Sequence, residues 1–259
     1  MMSAKTVNKQ SGQGLANMFT ICFYASLLLT FFNYYKTDKN ACGCFFEDNK
    51  NKETCLSNIS ALNKKITILI EGGLLNDAID AQKEKILNIK TAHGDKSWQL
   101  KSDDSFLSEL EVISNADEKK RNDYIKSLKD VEEATKQMQN GKLGTAQFTL
   151  QKALQKLVTL LGENSTYVAI ANERIGNIYY LMGNTRYANN YLEKSLNCYV
   201  TILGSDHPSV DNVLMTLGEN DIIIGNFNRA EKRLRQALVN VEKTDGKKSI
   251  KFAKILAQL

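Results

Sequence analysis

A fixed period in the C-terminal half constrains the fold of this 259-residue chain more than any other feature. Gly141, Gly183 and Gly225 are each 42 residues apart. Self-similarity at a constant step of this length is typical of proteins built from stacked copies of one supersecondary unit. The same step relates five further columns: Ala146, Ala188 and Ala230; Leu150, Leu192 and Leu234; Ala153, Ser195 and Ala237; Leu154, Leu196 and Leu238; Gly162, Gly204 and Gly246.

Each unit has the pattern of a hairpin of two helices. Gly183 suits a turn that needs a positive φ, and the small Ala188 after it lets two helices cross closely. Leu192 and Leu196 continue one apolar helical face. The preceding helix carries a second column of small residues, Ala134, Gly176 and Gly218. Because a single hairpin cannot bury its apolar face alone, the pattern predicts an all-α solenoid of stacked helical hairpins.

These small and apolar positions resemble the tetratricopeptide repeat. The usual unit of that family has about 34 residues, so the period here is longer. Residues 203–210 read Leu-Gly-Ser-Asp-His-Pro-Ser-Val and are similar to the linker of the kinesin-light-chain-type variant. Residues 161–164 keep only the first half of that linker. The resemblance covers residues 127–246 as three repeats, and it implies a protein-binding domain and not an enzyme.

A degenerate repeat region is predicted upstream, over residues 57–126. Gly73, Ala78 and Gly94 keep the internal offsets of the later units. The spacing then fails, because Ala78 and Ala146 are 68 residues apart, which is 42 plus 26. At the other end, residues 247–259 begin another first helix, which is either a capping helix or the start of a further unit.

The N-terminal region contains an uncharged stretch between Lys9 and Lys36. Residues 15–36 are long and apolar enough to predict one transmembrane helix, with a tail over 1–14 and a membrane-proximal linker over 37–56. A cleaved signal peptide and a buried helix are the alternatives. Residues 1–37 contain no acidic residue, which favours a mitochondrial targeting region and the mitochondrial inner membrane. The endoplasmic reticulum or another endomembrane is the alternative location.

The sequence offers little material for catalysis. It has two histidines, and His207 falls in the kinesin-light-chain-type linker, where we expect it to hold a loop. Cys42, Cys44 and Cys55 are one ligand short of a zinc site, which leaves a disulfide, lipidation or no role as alternatives. The net charge of +5 is spread along the chain and does not indicate nucleic-acid binding. We therefore predict no catalytic residue, cofactor, metal or small-molecule substrate.

The expected binding surface is the concave face formed by the first helices. In the repeat alignment these positions begin with Leu128, Val131 and Thr135. Solvated helix faces with no partner are the alternative. Glu173-Arg174 and Met215-Thr216 stand where kinesin-light-chain-type repeats often carry an asparagine pair. The candidate partner-binding residues are Ile170, Glu173, Arg174, Asn177, Asn212, Met215, Thr216 and Glu219.

Together these features predict a membrane-anchored scaffold or accessory subunit of a membrane protein complex. Its repeats would contact other protein subunits, and one helix would hold it in the membrane. The alternative is a membrane-tethered adaptor that recruits cargo or chaperone peptides.

Overall fold

The computed structural model describes residues 39–95 and 97–259, with side chains from residue 51 onward. The chain divides into residues 1–54 and 55–259, and all the packing below lies within the second unit. The predicted transmembrane helix, 15–36, and the tail before it lie outside the described residues. Among the described residues, no helix combines the length and the apolar character needed to cross a membrane.

The described residues form α-helices joined by short turns, with no strand among them. In chain order the helices are α1 (Lys39–Glu71), α2 (Leu75–His93), α3 (Trp98–Ser114), α4 (Glu118–Gln139), α5 (Leu143–Leu161), α6 (Thr166–Leu181), α7 (Thr185–Leu203), α8 (Pro208–Ile223), α9 (Phe227–Thr244) and α10 (Ile250–Leu256). The pairs α4/α5, α6/α7 and α8/α9 are antiparallel hairpins, and α5 and α7 each pack on the first helix of the next pair. The predicted all-α solenoid of stacked hairpins is therefore confirmed for the repeats.

Several boundaries differ from those expected from the sequence. The segment predicted as a linker, 37–56, is helical from Lys39, and α1 contains no proline and a single glycine. The first helix of the first repeat begins at Glu118, before residue 127, because Asp117 caps it by accepting a hydrogen bond from the Lys120 N–H at 2.8 Å. At the other end α10 packs on α9 and buries Ile255 completely.

The hairpin turns close through glycines with a positive φ, as expected for Gly183, whose φ is +73°. Its N–H donates to the Tyr180 carbonyl at 2.9 Å, and the N–H of Asn184 donates to the Tyr179 carbonyl at 2.8 Å. The last carbonyls of the first helix are satisfied in this way within the turn.

The second small-residue column sets how closely the two helices of a hairpin approach. A Cβ added to Gly176 would lie 2.6 Å from Cγ of Leu192, and one added to Gly218 would lie 2.8 Å from Cγ of Leu234. Both leucines are almost fully buried. The glycines therefore allow the leucine of the second helix to pack directly on the backbone of the first.

Helix α3 is an insertion that crosses the repeats. Ser102 Oγ lies 2.8 Å from Nε2 of His207, which precedes α8, and Ser105 Oγ lies 2.9 Å from Oγ1 of Thr166, the first residue of α6. A Lys101–Asp206 ion pair at 3.1 Å adds a third link. Helix α3 therefore lies across the N-terminal ends of α6 and α8, and its 17 residues make up most of the 26 extra residues that interrupt the period.

His207 links α3 to the start of α8 through a neutral imidazole ring. Its Nδ1 accepts a hydrogen bond from the Ser209 N–H at 3.1 Å and so caps α8. Burial lowers the pKa of the imidazole to about 4, so the ring is neutral and Nε2–H donates to Ser102. The loop-holding role expected for this histidine matches its position at the N-cap.

Replacing Gly176 by alanine tests the close crossing. Overpacking against Leu192 costs about 1–3 kcal/mol, more than the roughly 0.5–1 kcal/mol that alanine gains over glycine in a helix. We expect Gly176→Ala to lower the free energy of unfolding, measured by urea denaturation. The control Gly144→Ala, where nothing lies within 4 Å of the added Cβ, should raise it. A stabilised Gly176→Ala variant would contradict this account.

Candidate functional site

The first helices of the repeats line a groove that contains two connected cavities. The first cavity has a volume of about 480 Å³ and extends from α1 to α6. The second has a volume of about 570 Å³ and extends from α3 to α8. They share the side chains of Thr135, Ile170 and Arg174. These three residues therefore form the middle of one continuous surface, which we call the groove.

A fixed charge pair lies at the centre of the groove. The Arg174 guanidinium donates a hydrogen bond to Oγ1 of Thr135 on the neighbouring first helix. Glu173 accepts a hydrogen bond of 2.9 Å from the hydroxyl of Tyr199 on α7. Burial raises the pKa of the Glu173 carboxyl, while the Tyr199 hydroxyl and the Arg174 charge oppose that rise. Both charged groups are thus held by protein contacts and present a defined polar pattern to a ligand.

Helix α3 and the helices before it form one wall of the groove. Phe106 lies edge-on to Tyr167 with ring centroids 5.7 Å apart, and Tyr124 also lies edge-on to Tyr167, at 6.5 Å. Lys85 on α2 forms an ion pair of 2.5 Å with Asp103 on α3. The wall is therefore held together by aromatic packing and by a salt bridge between α2 and α3.

Helix α8 contributes little to the two cavities. Asn212 is exposed, and Met215, Thr216 and Glu219 are half-buried, but none of them lines either cavity. Glu219 instead accepts a hydrogen bond from the Gln258 side chain at the C-terminal end of the described chain. Contacts of the C-terminal segment thus occupy part of the surface that the repeat alignment assigned to a partner.

The repeats match a known family. Residues 167–242, from the first turn of α6 to the last turn of α9, match the family model described as Tetratricopeptide repeat. This chain contains tetratricopeptide repeats. The crystal structure of BtubC (BKLC) from P. vanneervenii has the same fold, with a TM-score of 0.50, 14% sequence identity, and coverage of 82% of this chain and 84% of that one. No curated protein matches the sequence.

The comparisons confirm the resemblance to tetratricopeptide repeats of the kinesin-light-chain type. The folds agree over most of both chains. The family match covers the second and third hairpins, where the period is clearest. The match does not extend to α1–α5, which include the wall of the groove and the first hairpin.

The structure gathers half of the candidate binding residues at one place. Ile170, Glu173, Arg174 and Asn177 line the second cavity together, whereas the four candidates on α8 lie outside it. Their role in partner binding stays a prediction. The repeat alignment missed several lining residues: Ser102 and Phe106 on α3, and Tyr199 and Leu203 on α7.

Glu109 fixes the wall to the repeats from a buried position. Its Oε1 accepts a hydrogen bond of 2.5 Å from the N–H of Thr166, and the residue is 7% exposed. Burial raises the pKa of this carboxyl to about 7, against hydrogen bonds from Thr166 and Ser165 that lower it. Burial raises the pKa of the Tyr124 and Tyr167 hydroxyls, and the nearby Glu109 charge raises both further.

Glu109 should make the stability of the chain depend on pH. The pKa of the folded carboxyl lies above its ordinary value of 4.5, so the folded state keeps a proton that the unfolded chain releases. Its contribution is complete below about pH 4.5 and is lost as the pH rises through 7. Between those pH values the unmodified chain should lose up to about 3 kcal/mol in its free energy of unfolding. We expect Glu109→Gln not to show this loss.

The measurement is urea denaturation at several pH values between about 4 and 9, a range that includes the whole interval from 4.5 to 7 over which the contribution is lost. The control is Glu163→Gln, at an exposed loop position, and it should keep the slope of the unmodified chain. A slope that survives in Glu109→Gln would show that another group is responsible.

Proposed function

We propose that this chain is a non-catalytic scaffold whose groove binds an extended segment of a partner protein. The observation that supports this most directly is the continuity of the two cavities through Thr135, Ile170 and Arg174. Folds of the tetratricopeptide type generally serve protein interaction, and the groove offers what a peptide needs. Apolar walls bury side chains, and fixed polar groups set their direction.

The chemistry of the groove favours a partner segment with both apolar and polar side chains. Ile170, Ile125 and Leu128 provide apolar surface, while Lys129 and Glu132 place opposite charges beside them. Arg174 can pair with a carboxylate or a backbone carbonyl of the partner. No single sign of charge dominates, so we do not propose recognition of a uniformly acidic or basic peptide.

We further propose that the partner belongs to a membrane protein complex, with the mitochondrial inner membrane as the location. The support comes from the sequence, namely the uncharged stretch between Lys9 and Lys36 and the acid-free region before Asp38. An anchored scaffold would then present its groove to other subunits beside the membrane.

The test is native-gel migration of the detergent-solubilised full chain, with mass spectrometry of the band. A scaffold subunit should migrate far above its own mass of 29.1 kDa, with membrane proteins in fixed ratio. Migration at its own mass would contradict the subunit assignment and would favour a tethered adaptor with transient partners.

A variant in the groove links that result to the proposed site. Asn177 is half-buried and lines the second cavity, so Asn177→Arg should place a long charged side chain in the path of the partner. Such a buried, unpaired charge costs about 2–5 kcal/mol, and we expect a loss of affinity of more than tenfold. The matched control is Asn190→Arg, at an exposed position of α7 outside both cavities.

The two variants should have the same helical circular dichroism as the unmodified chain. Co-migration that survives in Asn177→Arg would show that partners bind elsewhere. Loss of co-migration in both variants would show that added charge, and not the groove, is responsible.

A further inference from the structure

The turns of the second and third hairpins expose a set of large apolar side chains. They are 41% to 66% exposed. We call this set the apolar rim, and its members are Leu181, Met182, Ile223, Ile224 and Phe227. Exposed apolar residues scattered singly need no explanation, but a cluster of them indicates an interaction surface.

The rim residues lie on one edge of the solenoid. Leu181 and Met182 are each 42 residues before Ile223 and Ile224, so they occupy equivalent places in adjacent hairpins. Asn220, near the end of α8, donates hydrogen bonds to the Thr185 carbonyl at 3.1 Å and to Oδ1 of Asn189 at 2.7 Å. These contacts hold the two turns side by side. The equivalent residues of the first hairpin are Gln139 and Asn140, so the rim ends there.

The backbone of both turns is already hydrogen-bonded. In the third hairpin the N–H of Gly225 donates to the Ile222 carbonyl at 3.0 Å, and the N–H of Asn226 donates to the Asp221 carbonyl at 2.8 Å. The second hairpin has the same pair of bonds. A turn closed in this way can enter a medium of low polarity without stranding its backbone polar groups.

The unpaired charges at the turns of the rim are basic. No Asp or Glu occurs in residues 134–162, 174–192 or 222–230, which form or flank the three turns. Lys142 and Arg186 lie exposed beside the turns. Asp221, before the third turn, is fully buried and is neutralised by Arg229, at 2.5 Å, and by Arg233. Two further acids each lie one helical turn from a rim residue, and both have partners: Glu231 pairs with Arg235 at 2.8 Å, and Glu219 accepts a hydrogen bond from Gln258. A ligand that approaches this edge therefore meets apolar side chains and positive charge.

We infer that the apolar rim binds the surface of an anionic lipid bilayer. The rim side chains protrude from two separate turns, with Phe227 beside a depression formed by residues 225–229. A fluid interface accommodates such a shape without a matching cavity. Aromatic and aliphatic tips flanked by basic residues suit the boundary between headgroups and acyl chains. The phospholipid charge complements Lys142 and Arg186. This inference is independent of the groove and of the predicted transmembrane helix.

Brominated lipids can test contact at the rim itself. Trp98 is the single tryptophan of the chain, so Trp98→Phe provides a background on which one new tryptophan reports its own surroundings. Phe227→Trp places the reporter in the rim. Val239→Trp, at a 52% exposed position further along α9, is the matched control. Each reporter is introduced separately into the full chain, so any other attachment to the membrane is the same in the two variants.

We expect brominated vesicles of phosphatidylcholine and phosphatidylserine to quench the Phe227→Trp reporter and to leave the Val239→Trp reporter unquenched. Quenching should be weaker in phosphatidylcholine alone and at high salt, because surface charge is screened. Equal quenching of both reporters, or none at Phe227→Trp, would overturn the inference and leave a protein as the occupant of the rim. Quenching that is independent of phosphatidylserine would overturn the assignment to an anionic surface.

Substitution of the basic residues gives a second readout. Each Lys or Arg at a membrane surface contributes about five-fold to partitioning. Lys142→Gln combined with Arg186→Gln should therefore require about 25-fold more lipid for half-maximal quenching of the Phe227→Trp reporter. Both residues are exposed, so the pair should not change the free energy of unfolding. An unchanged lipid requirement would contradict the role of charge.

Discussion

The close contact between Gly176 and Leu192, repeated by Gly218 and Leu234, sets the geometry on which the rest of the structure depends. Because the leucine packs on a bare backbone, the two helices approach closely in both the second and the third hairpin. Hairpins of the same design stack with their first helices on one side and their turns on one edge. The groove and the apolar rim are both consequences of this constraint.

The fold of the repeats could be predicted because their contacts recur at a constant step. Gly183, Ala188 and Leu192 each make the contact that their counterparts make 42 residues later, so one pattern encodes many interactions. The helical character of residues 57–126 was expected, but the position of α3 across the repeats escaped prediction for the opposite reason. The sequence showed an interruption between Ala78 and Ala146, but the position of the inserted helix depends on contacts with Thr166 and His207, which lie far along the chain.

The candidate site could be predicted only in part, for a related reason. Period alone assigns Arg174 and Asn177 to the concave face, where the structure places them. It does not show that Tyr199 of a second helix reaches Glu173, or that Glu219 is engaged by Gln258, because each of these contacts occurs once. Interactions that differ between repeats leave no periodic trace.

Helix α3 also changes how the solenoid can come apart. In a simple stack each repeat touches only its neighbours, so a terminal unit can fray while the others stay folded. Here Ser102 and Lys101 bind a linker 105 residues further along, and Glu109 binds the linker before it. Two linkers are thus tied to one helix near the start of the stack. The repeats therefore cannot open one after another from the C-terminal end without releasing α3. Opening of one repeat is coupled through this helix to the others, and the repeats do not act as independent units.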